Sequence, residues 1–203
     1  QIQELISLNT DFLGFIFYEK SPRFVLNNLN LEGISEINHQ GKVGVFVNET
    51  VEKISEISEK AKLSFIQLHG DEDEKFILQL RQILGNNIKI IKVIRIGDDK
   101  TNFENEIKKI SNLKSQISNL LFDTDSKAFG GTGKTFDWQI LNEIEIPIPY
   151  FLSGGISLEN IHQLSTINHQ PLALDINSKF EIEPGNKNLE KIKKFTQIVN
   201  KIY

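Results

Sequence analysis

Cysteine and methionine are both absent from the 203 residues. The first absence excludes disulfides, and it excludes a thiol nucleophile or thiol base within these residues. The second, in a chain that opens on Gln1, leads us to expect further residues upstream. No charge of one sign dominates: 23 Lys and Arg stand against 27 Asp and Glu, a net charge of -4, and the basic residues are spread along the chain. That removes the electrostatic argument for a nucleic-acid partner. No apolar run approaches the roughly 20 residues of a membrane span, and no basic segment followed by an apolar one marks a secretory leader. A cytoplasmic protein is therefore expected, without membrane partners. The four histidines are scattered without ligand spacing, so no metal site is expected.

Present instead is an ordinary globular composition, 39% hydrophobic and 25% charged, which suits one domain spanning 1–203. Short apolar, β-branched or aromatic runs recur, each followed by a turn rich in Gly, Asp or Asn and then an amphipathic stretch. This alternation predicts βα units and a parallel sheet. Strands are expected at Phe12–Phe17, Lys42–Val47, Ser64–Leu68, Ile88–Ile94, Asn119–Phe122, Pro149–Leu152 and Leu172–Leu174. Helices are expected at Thr50–Lys62, Glu72–Leu84, Asn102–Lys114, Trp138–Glu143, Leu158–Ser165 and Leu189–Ile202. Val51, Ile54 and Ile57 space a buried stripe, as do Phe76, Leu78, Leu80 and Ile83 more loosely. Residues Ile2–Leu8 read as the end of a helix. Seven strands behind a leading partial helix point to an α/β fold, a (β/α)8 TIM barrel whose first strand lies outside these residues. An open Rossmann-like sheet is disfavoured, because no Gly-rich dinucleotide turn follows the first strand.

In such a barrel the chemistry sits at the carboxyl ends of the strands. Asp123 follows Leu120-Leu121-Phe122 where a buried strand meets the mouth, and partial desolvation favours the protonated, acid form of a carboxyl so placed. An Asp after a strand is also a common cap or turn former. Gly130, Gly131 and Gly133 follow in Gly130-Gly131-Thr132-Gly133-Lys134, which lacks Walker spacing and reads equally as a mobile ligand loop or a flexible linker. In Ser153-Gly154-Gly155-Ile156-Ser157, Gly154 and Gly155 would expose N–H groups ahead of a helix capped by Ser157, a ready anion site. The last strand runs into Asp175, Asn177 and Ser178, a carboxylate beside further phosphate donors. Arg23, in Ser21-Pro22-Arg23, suits bidentate binding of a carboxylate, although a surface arginine is the plainer alternative. His69, in Gln67-Leu68-His69-Gly70, is as compatible with a structural hydrogen bond as with ligand contact.

Taken in order, these segments resemble the phosphoribosylanthranilate isomerase family over nearly the whole chain. The matching pieces run from Asp11-Phe12-Leu13-Gly14-Phe15-Ile16-Phe17 and Ser21-Pro22-Arg23 through Lys42-Val43-Gly44-Val45-Phe46-Val47-Asn48 and Gln67-Leu68-His69-Gly70. They continue with Phe122-Asp123-Thr124, Gly130-Gly131-Thr132-Gly133 with Phe136-Asp137-Trp138, and Leu152-Ser153-Gly154-Gly155-Ile156. The resemblance implies an Amadori rearrangement of a phosphorylated small-molecule substrate, with Asp123 as general acid and Arg23 on the anthranilate carboxylate. It implies substrate contact at His69 and Asp175, and a phosphate region at Gly154, Gly155, Asn177 and Ser178. No metal or organic cofactor is implied, and a monomer or a homodimer is expected. The family's base is a cysteine in a Lys-x-Cys-Gly-like segment, expected upstream of Gln1. A second departure is Lys179, where many members carry glycine after the serine. Another phosphate-binding barrel enzyme, or a non-catalytic phosphate-binding remnant, is the competing expectation.

Overall fold

Every apolar run marked above becomes a strand. The computed structural model describes residues 1–97, 100–125 and 135–202. Its seven-stranded sheet follows chain order, β1 (Leu13–Ile16), β2 (Lys42–Phe46), β3 (Phe65–Leu68), β4 (Lys89–Ile96), β5 (Asn119–Thr124), β6 (Tyr150–Leu152) and β7 (Ala173–Leu174). The helices are α1 (Ile2–Ser7), α2 (Leu31–Glu36), α3 (Val51–Lys60), α4 (Glu74–Leu84), α5 (Lys100–Leu113) and α6 (Leu189–Ile202). No described helix is long and apolar enough to cross a membrane. The described residues group into two compact units.

One unit comprises Thr10–Val93 and Leu113–Asn119. Here β1 to β4 pair in parallel, with Phe15 opposite Gly44, Val45 opposite Gln67, and Gln67 opposite Ile91. Strands β2, β3 and β4 are buried almost continuously, as parallel strands covered on both faces must be. Parallel pairing demands a crossover between strands, and each helix carries its own start signal. Thr50 accepts the Lys53 N–H at 3.3 Å at the head of α3, and Asp73 accepts the Phe76 N–H at 2.8 Å at the head of α4. The α3 stripe of Val51, Ile54 and Ile57 is buried as expected. The α4 stripe is not: Ile77 and Leu80 form the buried line, while Leu78 and Ile83 are exposed and Phe76 is half-buried. Ile77, Leu80 and Leu84 fit the 3.6-residue repeat, and Leu78 and Ile83 fall to either side of it. The short α2, capped by Asn30 on the Gly33 N–H at 2.8 Å, was not expected from the pattern. Its last carbonyls are used by Lys42, whose Nζ donates to Ile34 O at 3.1 Å and Ser35 O at 3.3 Å. Burial holds the Lys42 ammonium below the ordinary lysine range, and neighbouring Lys62 adds to the effect.

The other unit comprises Gln1–Asn9, Ile94–Asn112 and Leu120–Tyr203. Leu121 stands opposite Phe151, and Phe151 opposite Ala173, in parallel register. The Phe122 ring meets Phe103 at 5.6 Å and Tyr150 at 5.1 Å between centroids. An unexpected antiparallel hairpin, β8 (Glu181–Glu183) and β9 (Asn186–Lys187), turns at Gly185 with φ +84° before α6. Two segments read as helices prove to be 3-10 turns, Trp138–Asn142 in place of Trp138–Glu143 and Ile161–Thr166 in place of Leu158–Ser165. Their buried residues recur every third position, Trp138 and Leu141, then Ile161, Leu164 and Ile167. That spacing faces one side only at 3.0 residues per turn.

Candidate functional site

The end of β5 is where an apolar run gives way to a polar side chain. Leu120, Leu121 and Phe122 are buried, and Asp123 follows, only 8% exposed. Its Oδ1 accepts the Thr124 N–H at 2.8 Å, which aims the carboxylate without neutralising it. The neighbouring strand ends run in step: the Ser153 N–H donates to Phe122 O at 2.8 Å, and the Asp175 N–H donates to Leu152 O at 2.8 Å. This brings Gly154 against Asp123. A Cβ at residue 154 would stand 3.2 Å from Asp123 Oδ1 and 2.8 Å from the Thr124 nitrogen, and would overlap Thr124 Oγ1. With φ +86° as well, the position admits glycine alone.

From the next strand end, the Ser153 hydroxyl donates to Asp175 Oδ2 at 3.3 Å. Asp123, Gly154 and Asp175 thus lie at the ends of successive strands of one unit, as the sequence implied. Gly155 continues the loop at φ +65°. The expected α-helix N-terminus behind it is absent, because the chain passes through an Asx-type turn first. Asn160 Oδ1 accepts the Ser157 N–H at 2.8 Å, and the 3-10 segment starts only at Ile161. Ser157 therefore caps no α-helix. Its hydroxyl beside Glu159 holds that carboxyl below the usual glutamate range. Any anion bound here would meet loop N–H groups and side chains rather than a helix dipole. After β7, Asn177 leads into the 3-10 turn Ser178–Phe180, whose Phe180 is buried on Phe195 at 4.9 Å.

In the other unit, Arg23 is half-buried in the turn after β1, where its N–H donates to Ser21 Oγ at 3.1 Å. Phe24, just beyond, forms a parallel bridge with Ile16. His69 is buried at the end of β3, its Nδ1 at 3.1 Å from Gln67 Nε2. Gly130, Gly131 and Gly133 lie outside the described residues. No group of three or more His, Cys, Asp or Glu among the described residues could hold a metal ion.

Sequence reasoning missed a buried ionic cluster beside His69. Lys92 Nζ donates to Glu72 Oε2 at 2.9 Å and to Gly70 O at 2.8 Å. Glu72 Oε1 accepts the N–H groups of Asn48 at 2.9 Å and Gly70 at 3.2 Å. It ties together the loops that leave β2 and β3. The sequence pattern places Glu72 only at the start of a helix, and nothing in Asp71-Glu72-Asp73-Glu74 distinguishes a buried carboxylate from solvated ones. The Ser153 hydroxyl, although inside the Ser153–Ser157 segment, was given no role of its own there.

The profile of the family described as N-(5′-phosphoribosyl)anthranilate (PRA) isomerase matches residues 1–198. An N-(5′-phosphoribosyl)anthranilate isomerase of Parabacteroides distasonis is 38% identical, over 97% of this chain and 86% of that protein. The crystal structure of phosphoribosyl anthranilate isomerase from Thermotoga maritima superposes with a TM-score of 0.79 at 29% identity, covering 98% of this chain and 92% of that one. A phosphoribosyl anthranilate isomerase in complex with reduced 1-(o-carboxyphenylamino)-1-deoxyribulose 5-phosphate gives 0.75 at 27% identity, covering 98% and 92%.

Proposed function

Because this chain belongs to the N-(5′-phosphoribosyl)anthranilate isomerase family, we propose that Asp123 is the general acid of its reaction. The protein is an isomerase of tryptophan biosynthesis, converting N-(5′-phosphoribosyl)anthranilate to 1-(2-carboxyphenylamino)-1-deoxyribulose 5-phosphate. The chemistry asks for a proton on the furanose oxygen. As that proton arrives, the C1–O bond breaks and the anthranilate nitrogen lone pair forms a C=N bond. A base then takes the proton from C2, and the resulting enolamine tautomerises to the ketone. Carrying the reading is the position of Asp123: buried at a strand end, aimed by the Thr124 N–H, and approached by Gly154 where a Cβ would crowd Thr124 and the carboxylate.

On the family resemblance, Arg23 takes the anthranilate carboxylate through paired N–H donors, and His69 and Asp175 contact the substrate. Gly154 and Gly155 offer backbone N–H groups to the phosphate, joined by Asn177 and Ser178. No cofactor is required, because the substrate's own amine and ring oxygen move the electrons. The resemblance implies a cysteine base; these residues contain none, and the group that takes the C2 proton is left unassigned among them. For the fold, we propose that β1 to β7 are strands two to eight of a single (β/α)8-barrel domain, on the support of their order and of the similarity to solved isomerases.

The test is Asp123→Asn in the full-length gene product, followed by loss of substrate fluorescence. The amide keeps an acceptor for the Thr124 N–H and removes the proton. We expect kcat to fall by roughly 10²–10⁴ with KM little changed. A wild-type kcat would overturn the assignment.

A further inference from the structure

Lys187 has no part in the site described so far. It lies in β9, on the returning arm of the hairpin, with a side chain only 22% exposed. Its ammonium donates to Glu181 Oε1 at 2.9 Å and to Asn177 Oδ1 at 2.6 Å. Glu181 is more deeply buried still, with 3% of its side chain exposed, and it also accepts the Gly185 N–H at 3.1 Å. The Asn188 N–H donates to Phe180 O at 2.8 Å and closes the hairpin onto the Ser178–Phe180 turn. The buried Glu181 carboxylate and the Asn177 amide therefore hold the ammonium, on a hairpin tied by its backbone to the Ser178–Phe180 turn.

A carboxamide can turn either end toward a neighbour, and coordinates alone rarely tell which. Lys187 decides the matter here, because an ammonium has three donors and no acceptor. The Asn177 oxygen must face it, so the NH2 faces the other way. An amide that presents NH2 attracts an anion; one that presents its oxygen repels it. We infer that Lys187, gripped by Glu181, is a positioning residue that locks the Asn177 amide so that its NH2 donates to the substrate phosphate. This rests on the placement of the phosphate at Asn177 and Ser178 proposed above. The ion pair is neutral overall, so its contribution is polarity of the donor and not added positive charge.

The test compares three variants of the full-length protein, with inorganic phosphate as a competitive inhibitor. Asn177→Asp keeps the oxygen that Lys187 binds but exchanges the NH2 for a second oxygen. Glu181→Gln combined with Lys187→Met frees the amide without leaving a buried carboxylate unpaired. Both should raise KM and the phosphate Ki together by about tenfold or more, with kcat within about twofold, since a hydrogen bond to a charged group is worth that much. Lys187→Arg retains the donor and should keep Ki near wild type. Unchanged Ki in both Asn177→Asp and the double variant overturns the inference, as does a fall in kcat at constant KM. If phosphate fails to compete even in the wild type, the phosphate placement fails and this inference falls with it.

Discussion

Replacing Lys92 by methionine should be among the most damaging single changes outside the site. The side chains of Lys92 and Glu72 are 8% and 2% exposed, so water contributes little to either charge. Methionine fills comparable volume but leaves the Glu72 carboxylate with two backbone donors and no counter-charge, and leaves Gly70 O without its lysine donor. Breaking a buried pair from one side costs about 3–5 kcal/mol. For a chain of this size each kcal/mol lowers Tm by about 2–4 °C, so a drop of roughly 6–20 °C follows. Urea titration with thermal melting by circular dichroism reads both quantities, and an unchanged m-value would locate the effect in the native state. Adding Glu72→Gln to Lys92→Met removes the stranded charge while keeping an acceptor for the Asn48 and Gly70 N–H groups, and should recover most of the loss. A loss below about 1 kcal/mol in the single variant would refute the reasoning, because that is how a solvated surface pair behaves.

Gly154→Ala should lower kcat/KM sharply and cost about 1–3 kcal/mol from the positive φ alone, with the encroachment on Thr124 added, as read by kinetics and urea midpoint. Lys42 yields a pH dependence: its folded pKa is below that of the unfolded chain, so between the two values the unfolded state binds more protons and stability rises with pH. Urea midpoints of the wild type minus those of Lys42→Met should therefore increase between pH 8 and pH about 10.5, and a flat or falling difference would contradict the burial of that charge.

How far the fold could be read in advance depended on the range of the forces that set each element. All seven sheet strands form on the apolar runs that announce them, with β4 and β5 each running two residues further, to Ile96 and Thr124, because a parallel strand buried on both faces needs a local run of β-branched and aromatic residues. α6 matches at both ends, Leu189 to Ile202. The two 3-10 segments were misread as longer helices because a three-residue spacing of apolar residues over one or two turns also fits an α-helical stripe. The β8–β9 hairpin escaped notice because its strands are only three and two residues long. Within the site, Asp123, Gly154 and Asp175 were legible as polar or glycine residues following apolar runs. The roles of Ser153, Glu72 and Lys92 were not, since their partners stand 20 to 24 residues along the chain, and that of Lys187 depends on the hairpin that the pattern did not announce.

The contact between Gly154 and the end of β5 also bears on which genetic changes could ever repair a lesion there. When an intruding methyl strikes a side chain, trimming that side chain elsewhere restores the fit. At residue 154 the nearest backbone obstacle is the main-chain nitrogen of Thr124, 2.8 Å from the site of a Cβ, and no codon change at 124 removes a main-chain nitrogen. Thr124→Ala or Asp123→Asn would therefore fail as suppressors of Gly154→Ala. Revertants should be dominated by restoration of glycine, with rare second-site events confined to positions that shift the β5 or β6 backbone itself.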